Sequence, residues 1–459
     1  MLLKNILDKK HLACLVFLFF ISCKKFIEVD PPANVVTTAT LFSDDLTATS
    51  AINGLYSQMM ISNLFFANSS MTVFPGLSAD ELMRTVPDGN TDPFQKNAVT
   101  TNNFYLETGM WKRGYNHIYH ANAVLKGLEN SPGVTSGTRD QLMGEAKFAR
   151  AFCYFYFVNL FGDVPLVTST EYQVNQSVAR TSISEIYPQI ISDLKEAQSQ
   201  LSNTYPSSGK VRPIKYAARA LLARVYLYQK NWAGAEAEAN AIISSGVFSL
   251  ANLNSVFLAN SSEAIWQLLP VLSSINTADG ITFIPPSATA KPSYTVTDWL
   301  LNSFESNDQR KANWLKSNVV AGQSYYYPYK YKVRTSPTIV EHNMVLRLAE
   351  QYLIRAEARA QQNNISGAQA DLNIIRNRAG LANTIANDKA SILSAIEQER
   401  RIEFFAEWGH RWFDLKRNNR IDAVLSVEKG SVWQTTDALY PIPASELQTN
   451  PRLTQNPGY

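Results

Sequence analysis

Residues 215–243 read KYAARALLARVYLYQKNWAGAEAEANAII. Apolar and small side chains recur every three or four residues through two blocks, the period of amphipathic helices. Asn231-Trp232-Ala233-Gly234 separates the blocks and reads as a turn. Small residues such as Ala223, Ala235 and Ala239 allow two antiparallel helices to approach closely. The stretch predicts a helical hairpin inside a unit spanning 213–245.

Ala223, Tyr226, Ala235, Ala239 and Ile242 also fall at tetratricopeptide-repeat offsets. Residues 346–380, LRLAEQYLIRAEARAQQNNISGAQADLNIIRNRAG, repeat the idea with Ala356, Ala368, Leu372 and Ile375. Arg359 stands where the repeat carries Tyr, so this copy is degenerate. A pairing of 113–130 with 139–160 gives a third copy. Helical periodicity also covers 46–60, 111–128, 139–160, 183–201, 344–361, 366–379 and 389–408. The expected fold is mostly α, an α-α superhelix of tetratricopeptide-like helix pairs. Two stretches break the pattern, 65–105 and 268–338, both rich in Pro, Gly, Asn, Ser and aromatics. Loops of that length in a compact chain are usually functional or disordered. Short strands are expected within 265–335.

The 459 residues are 45% hydrophobic and 18% charged, with a formal net charge of +3. That is globular, and no basic stripe points to nucleic acid. Of the three cysteines, Cys14 and Cys23 lie at the extreme N-terminus, which leaves Cys153 alone in the body. The apolar context AFCYFYF makes Cys153 a buried, inert thiol.

Lys4, Lys9 and Lys10 precede an apolar run from Leu12 to Ile21. Ten residues are too few for a membrane span, which needs roughly 20, and the layout is that of a secretory signal. Phe20-Ile21-Ser22-Cys23 resembles a bacterial lipobox, with Phe20 in place of the usual Leu. Residues 1–22 are therefore read as a lipoprotein signal peptide and Cys23 as the lipidated first residue. Residues 23–40, with Pro31-Pro32, read as an extended tether.

The densest charge lies at 399–417, ERRIEFFAEWGHRWFDLKR. Glu399 and Glu403, one helical turn apart, would stand about 5–6 Å apart at Cβ, within a retaining glycosidase's range. On a helical wheel they share a face with Ile392, Ala395, Ile402, Ala406 and Phe413, and Arg376, Arg378, Arg400, Arg401 and Arg411 stand ready to neutralise them. Structural ion pairing outweighs catalysis here. His410 lacks a second His at ligand spacing. His117 and His120 lack a third ligand. Asp88-Gly89-Asn90-Thr91-Asp92 begins like a calcium loop, but Pro93 stands where Gly is needed. No catalytic residue, metal or cofactor is assigned.

The ordered motifs CKKFIEVDPP (23–32), AINGLY (51–56), EAKFARAFCYFYFVNLFGDVPL (145–166), RAEARA (355–360), LNIIRNRAG (372–380), residues 399–417 and the ending LYPIPASELQTNPRLTQNPGY resemble the SusD/RagB family of Bacteroidetes outer-membrane lipoproteins. The resemblance runs from Cys23 to Tyr459. It implies an N-terminal SusD-like helical region at 41–260 and a C-terminal SusD/RagB region at 261–459. It also implies a cell-surface, lipid-anchored, non-enzymatic nutrient binder that passes oligosaccharides to a SusC-like TonB-dependent transporter. Peptide binding within the family is the alternative, and hydrolysis by Glu399 and Glu403 is the more distant one. Sugar rings stack on aromatic faces while their hydroxyls take hydrogen bonds from polar side chains. From loop context the platforms are Phe74, Phe94, Phe283 and Tyr325, with Arg84, Asp88, Asn90 and Gln95 as polar partners. Trp299 and Trp314 lie in DWLLNSFESNDQR and its continuation, a scaffold-like stretch, and are left out; Asp80 and Glu81 read as structural by resemblance.

Overall fold

A computed structural model describes residues 38–459. The signal peptide, Cys23 and nearly all of the tether lie outside the described residues. Among the described residues, no helix is long and apolar enough to cross a membrane.

The long helices are α1 (Asp45–Met60), α2 (Ser70–Ser78), α3 (Arg113–Leu128), α4 (Ser136–Phe161), α5 (Ile183–Gln200), α6 (Lys215–Tyr228), α7 (Trp232–Ile243), α8 (Leu348–Gln361), α9 (Ile365–Arg378), α10 (Lys389–Glu403), α11 (His410–Arg417) and α12 (Ile421–Glu428). From α4 to α10 each packs on its predecessor, and α7 hands directly to α8 across the intervening loops. That is the expected succession of helix pairs. The two repeat copies turn by the same device. Asn231 and Asn364 each accept the backbone N–H three residues on, from Gly234 and Gly367, at 3.0 Å. Lys230 and Asn363 just before them adopt φ of 56° and 64°. Arg359, at the degenerate Tyr position, bonds Glu236 at 2.8 Å and Asp371 at 2.9 Å, so it ties one repeat to the other.

Two helix expectations are corrected. Residues 343–347 form a strand, β8, paired antiparallel with β4 (Ala264–Leu268), and the helix starts only at Leu348. Every position of both strands is buried, so the apolar run Met344-Val345-Leu346 fits a sheet covered on both faces. The helix expected over 389–408 ends at Glu403. Ala406, Trp408 and Gly409 take φ of 50°, 48° and 69°, which reverses the chain before α11. Packing offsets that strain: Trp408 donates from Nε1 to the Met344 carbonyl at 2.6 Å and from its backbone N–H to Thr72 Oγ1 at 3.2 Å.

The remaining strands are short: β1 (Leu82–Arg84), β2 (Val164–Pro165), β3 (Arg180–Thr181), β5 (Tyr294–Val296), β6 (Leu315–Val320) and β7 (Gln323–Pro328). β1 pairs with β5, β2 with β3, and β6 with β7, all antiparallel. The larger apolar core runs from Phe42 to Leu453 and encloses Trp266, Trp314, Trp412 and Cys153, and a smaller one lies between α8, α9 and α10. Burial pushes the Cys153 thiol pKa far up, so the thiolate is disfavoured.

Candidate ligand-binding surface

β1 and β5 bring the two irregular regions together. Their register sets Arg84 opposite Tyr294, and β5 lies against β7 of the β6–β7 hairpin. The Arg84 backbone N–H donates to Gln95 Oε1 at 2.7 Å. Its guanidinium lies over the Tyr294 ring, 4.8 Å from the centroid, with the Asp88 and Asp92 carboxylates each 3.8 Å away.

Asp88 is held in turn. Its Oδ1 accepts the backbone N–H groups of Asn90 (3.0 Å) and Thr91 (2.8 Å) and the Thr91 hydroxyl (3.0 Å). Partial burial raises the Asp88 pKa, but these bonds and the Arg84 charge outweigh it and hold the carboxyl below its ordinary value. It is a fixed anion at neutral pH. The Asn90 carbonyl accepts Asn103 Nδ2 at 2.8 Å, and Asn103 Oδ1 accepts the N–H groups of Tyr105 and Leu106. Asn103 therefore joins the 88–92 loop to the start of a π-helix over Tyr105–Lys112, a rare form that is frequent at functional sites. Phe104, at that junction, is 47% exposed, and its ring lies 5.3 Å from that of half-buried Tyr105.

On the other side, Asn318 of β6 donates to the carbonyls of Ser287 (2.9 Å) and Ala290 (2.7 Å), pinning the 284–291 loop to the hairpin. Lys291 Nζ then sits 4.8 Å over the Tyr325 ring, and Tyr326 beside it is 37% exposed.

The expected polar partners Arg84, Asp88, Asn90 and Gln95 thus share one surface, with Tyr325 on the hairpin that adjoins it. The expected platforms Phe74, Phe94 and Phe283 do not. Phe74 and Phe94 are fully buried and stacked at 4.3 Å, with Tyr440 edge-on to Phe94. Phe283 is buried edge-on to Tyr294 at 6.0 Å. Their faces are spent on the core beneath the surface and cannot stack on a ligand. Phe104, Tyr105 and Lys291 were missed. The legible signal was the polar run Thr100-Thr101-Asn102-Asn103 just before Phe104, against the apolar Val73-Phe74-Pro75-Gly76-Leu77 around Phe74.

The geometry speaks against Glu399 and Glu403 as a hydrolytic pair. Glu399 and Glu403 are buried. Arg310 Nη1 bonds both, at 2.5 and 3.0 Å. Arg347 bonds Glu403 and Glu263, at 2.6 and 2.8 Å, and Arg378 bonds the same two carboxylates. Burial works to raise the pKa of Glu403, but Arg378, Arg347 and Arg310 overcome it and push the value far down. Glu403 so held does not donate a proton, and burial keeps both carboxylates from a substrate. His117 is buried with no hydrogen-bond partner for either ring nitrogen, and burial pushes its pKa down to about 3.

Comparison with known proteins agrees with this architecture. Residues 25–227 match a family described as "Starch-binding associating with outer membrane", and residues 302–459 match the "SusD family". The chain is 27% identical to SusD-like protein P25 of Formosa agariphila, over 96% of this chain and 97% of that one. Among solved structures, a SusD superfamily protein from Bacteroides vulgatus superposes with a TM-score of 0.80 at 22% identity, covering 91% of this chain and all of that one. A laminarin-binding SusD-like protein superposes with a TM-score of 0.77 at 25% identity, with the same coverage. With the repeat scaffold, the ordered motifs and both family matches in agreement, the chain belongs to the SusD/RagB family.

Proposed function

We propose that this protein captures oligosaccharides at the outer membrane and delivers them to a SusC-like TonB-dependent transporter, held there by a lipid on Cys23. The observation that carries the reading is the surface on which Arg84, Asp88 and Asn90 meet Phe104, Tyr105 and Tyr325. Fixed charges and an exposed amide stand beside one exposed and two half-buried aromatic rings, the kind of combination that grips a sugar ring and its hydroxyls. The matched family is described as starch-binding and one structural neighbour as laminarin-binding, which are the same ligand class.

The test is calorimetry on residues 24–459 with laminari-, malto- and xylo-oligosaccharides and short peptides, each mixture assayed for cleavage products. Saccharide binding without products, weakened by Arg84→Ala and Phe104→Ala, is the expected result. Cleavage products would overturn the binder reading. Binding of peptides alone would keep the family and replace the ligand. Delivery is tested separately, by co-purification of the lipidated chain with a transporter from the native outer membrane.

A further inference from the structure

A second aromatic site stands one strand away. Past β5 the chain makes a helical turn over Asp298–Leu301. This turn is rigidly mounted. The Thr297 N–H donates to the Glu81 carbonyl at 3.0 Å, and its hydroxyl donates to the Asp80 carbonyl at 2.7 Å. Leu300 is buried, so neighbouring Trp299 is turned outward and is 51% exposed. Trp299 lines a cavity of about 470 Å³ together with Asp298, Asn302, Ser303 and Arg401.

A lone exposed Trp would need no explanation. Here, however, the polar groups around it are also unspent. The Asp298 carboxylate, the Trp299 indole N–H and the Asn302 side-chain amide make no hydrogen bond to any described residue. Arg401 gives Nη2 to Asp80 at 2.7 Å, but Asp80 is also claimed by Arg411 through Nε and Nη2, at 2.7 and 2.9 Å. Arg401 Nε is buried without a partner. An open indole face ringed by an anion, an amide and a guanidinium with donors to spare has the chemistry of a saccharide subsite.

We propose that Trp299, with Asp298, Asn302 and Arg401, forms a second saccharide subsite engaged by the same chain that occupies the Arg84 surface. The proposal rests on the saccharide reading above. Tyr294, which carries the Arg84 guanidinium, is five residues from Trp299, so their Cα atoms are at most about 18 Å apart. An oligosaccharide long enough to reach both gains affinity through effective concentration, whereas a short one occupies one site.

The test follows the Trp299 indole N–H resonance in ¹⁵N-labelled residues 24–459, assigned by its loss in Trp299→Ala, during titration with trimers and hexamers of the laminari, malto and xylo series. Affinities are measured in parallel by calorimetry on the wild type, Trp299→Ala and Arg84→Ala. The expected result is a shifted Trp299 resonance with a hexamer, and an affinity for it that falls about tenfold in Trp299→Ala while trimer affinity holds. The Trp299 shift should persist in Arg84→Ala at higher ligand concentration. Hexamer binding that leaves the Trp299 resonance and the Trp299→Ala affinity unchanged would overturn the second subsite and leave the primary reading standing. A panel that binds nowhere would overturn both.

Discussion

Arg84 and Tyr294 face each other across the β1–β5 register, and the guanidinium lies over the ring at 4.8 Å. That stack fixes Arg84 between the 88–92 loop and the hairpin side of the surface. A planar guanidinium keeps its in-plane donors while stacked, which an ammonium cannot do. Arg84→Ala should therefore lower saccharide affinity about tenfold, and Arg84→Lys should recover only part of it. Calorimetry reads the affinities, and an unchanged far-UV circular dichroism spectrum would show that the fold survives.

Phe94 and Phe104 should separate stability from binding. Phe94→Ala removes a fully buried ring from the Phe74–Phe94–Tyr440 stack and should cost about 3–5 kcal/mol of stability. Phe104→Ala takes away a half-exposed ring and should change stability by less than about 1 kcal/mol while weakening ligand binding. Urea unfolding and calorimetry on the two variants must give opposite orders of severity.

The repeat scaffold was legible because its signals are local. The spacing of Ala235, Ala239 and Ile242 and the Asn-x-x-Gly turns at 231 and 364 are read within one hairpin. The polar half of the surface was legible for a similar reason, since Arg84, Asp88, Asn90 and Gln95 sit in one polar loop. The aromatic half was not. Phe94 follows Asp-Pro in that same loop, yet it is buried because Phe74 of α2 and Tyr440 near the C-terminus close over it. Only long-range packing decides that, and period and composition do not register it. The strand at 343–347 was hidden likewise, because its partner lies about 80 residues upstream and a short apolar run fits strand and helix equally. Trp299 lies in a stretch that resembles scaffold, and burial of Leu300 beside it, which the sequence does not register, is what turns it outward.

Glu403 stands at the centre of a buried charge network, and its removal should expose that dependence. Glu403→Gln leaves Arg310, Arg347 and Arg378 short of a carboxylate, a loss of about 3–5 kcal/mol for a buried pair broken on one side. Ligand affinity of the surviving folded fraction should match the wild type, because no contact joins Glu403 to the Arg84 surface. A parallel loss of binding at unchanged stability would reverse the structural reading of this residue.

Gly409 begins α11 at φ 69°, and a Cβ there would lie 2.8 Å from Pro75 Cβ and 3.0 Å from the Met71 carbonyl. Both the backbone conformation and the contact with α2 require glycine. Gly409→Ala should destabilise by about 1–3 kcal/mol, read as a lower midpoint in thermal unfolding.

Two buried acids should each subtract from stability as pH rises through the acid-to-neutral range. Glu81 is pushed up from an ordinary value of 4.5 to about 8, by burial first and by the Asp80 charge second, and its Oε1 has no hydrogen-bond partner. Asp279 is pushed up from 3.8 to about 7, again by burial first, then by the Glu407 charge. Between the ordinary and the raised values the folded chain keeps a proton that the unfolded chain has released. Folding then binds protons, so the stabilisation from Glu81 is complete below pH 4.5 and is lost as pH climbs toward 8. Lys416 acts oppositely but in another window. Burial lowers it from 10.5 to about 7, so the unfolded chain holds more protons above pH 7 and stability rises with pH there. Urea unfolding from pH 4.5 to 7 avoids the Lys416 window, but the buried histidines, His117 among them, raise stability with pH over the same range. The Glu81 contribution is therefore read by comparing a variant with the wild type. Glu81→Gln, neutral and of the same shape, should remove the Glu81 contribution, so that its advantage over the wild type grows as pH rises across that range. An identical slope in the two proteins would mean that Glu81 is ionised in the fold and partnered by Arg411, Lys330 or Arg401, the cations whose charges already oppose its shift.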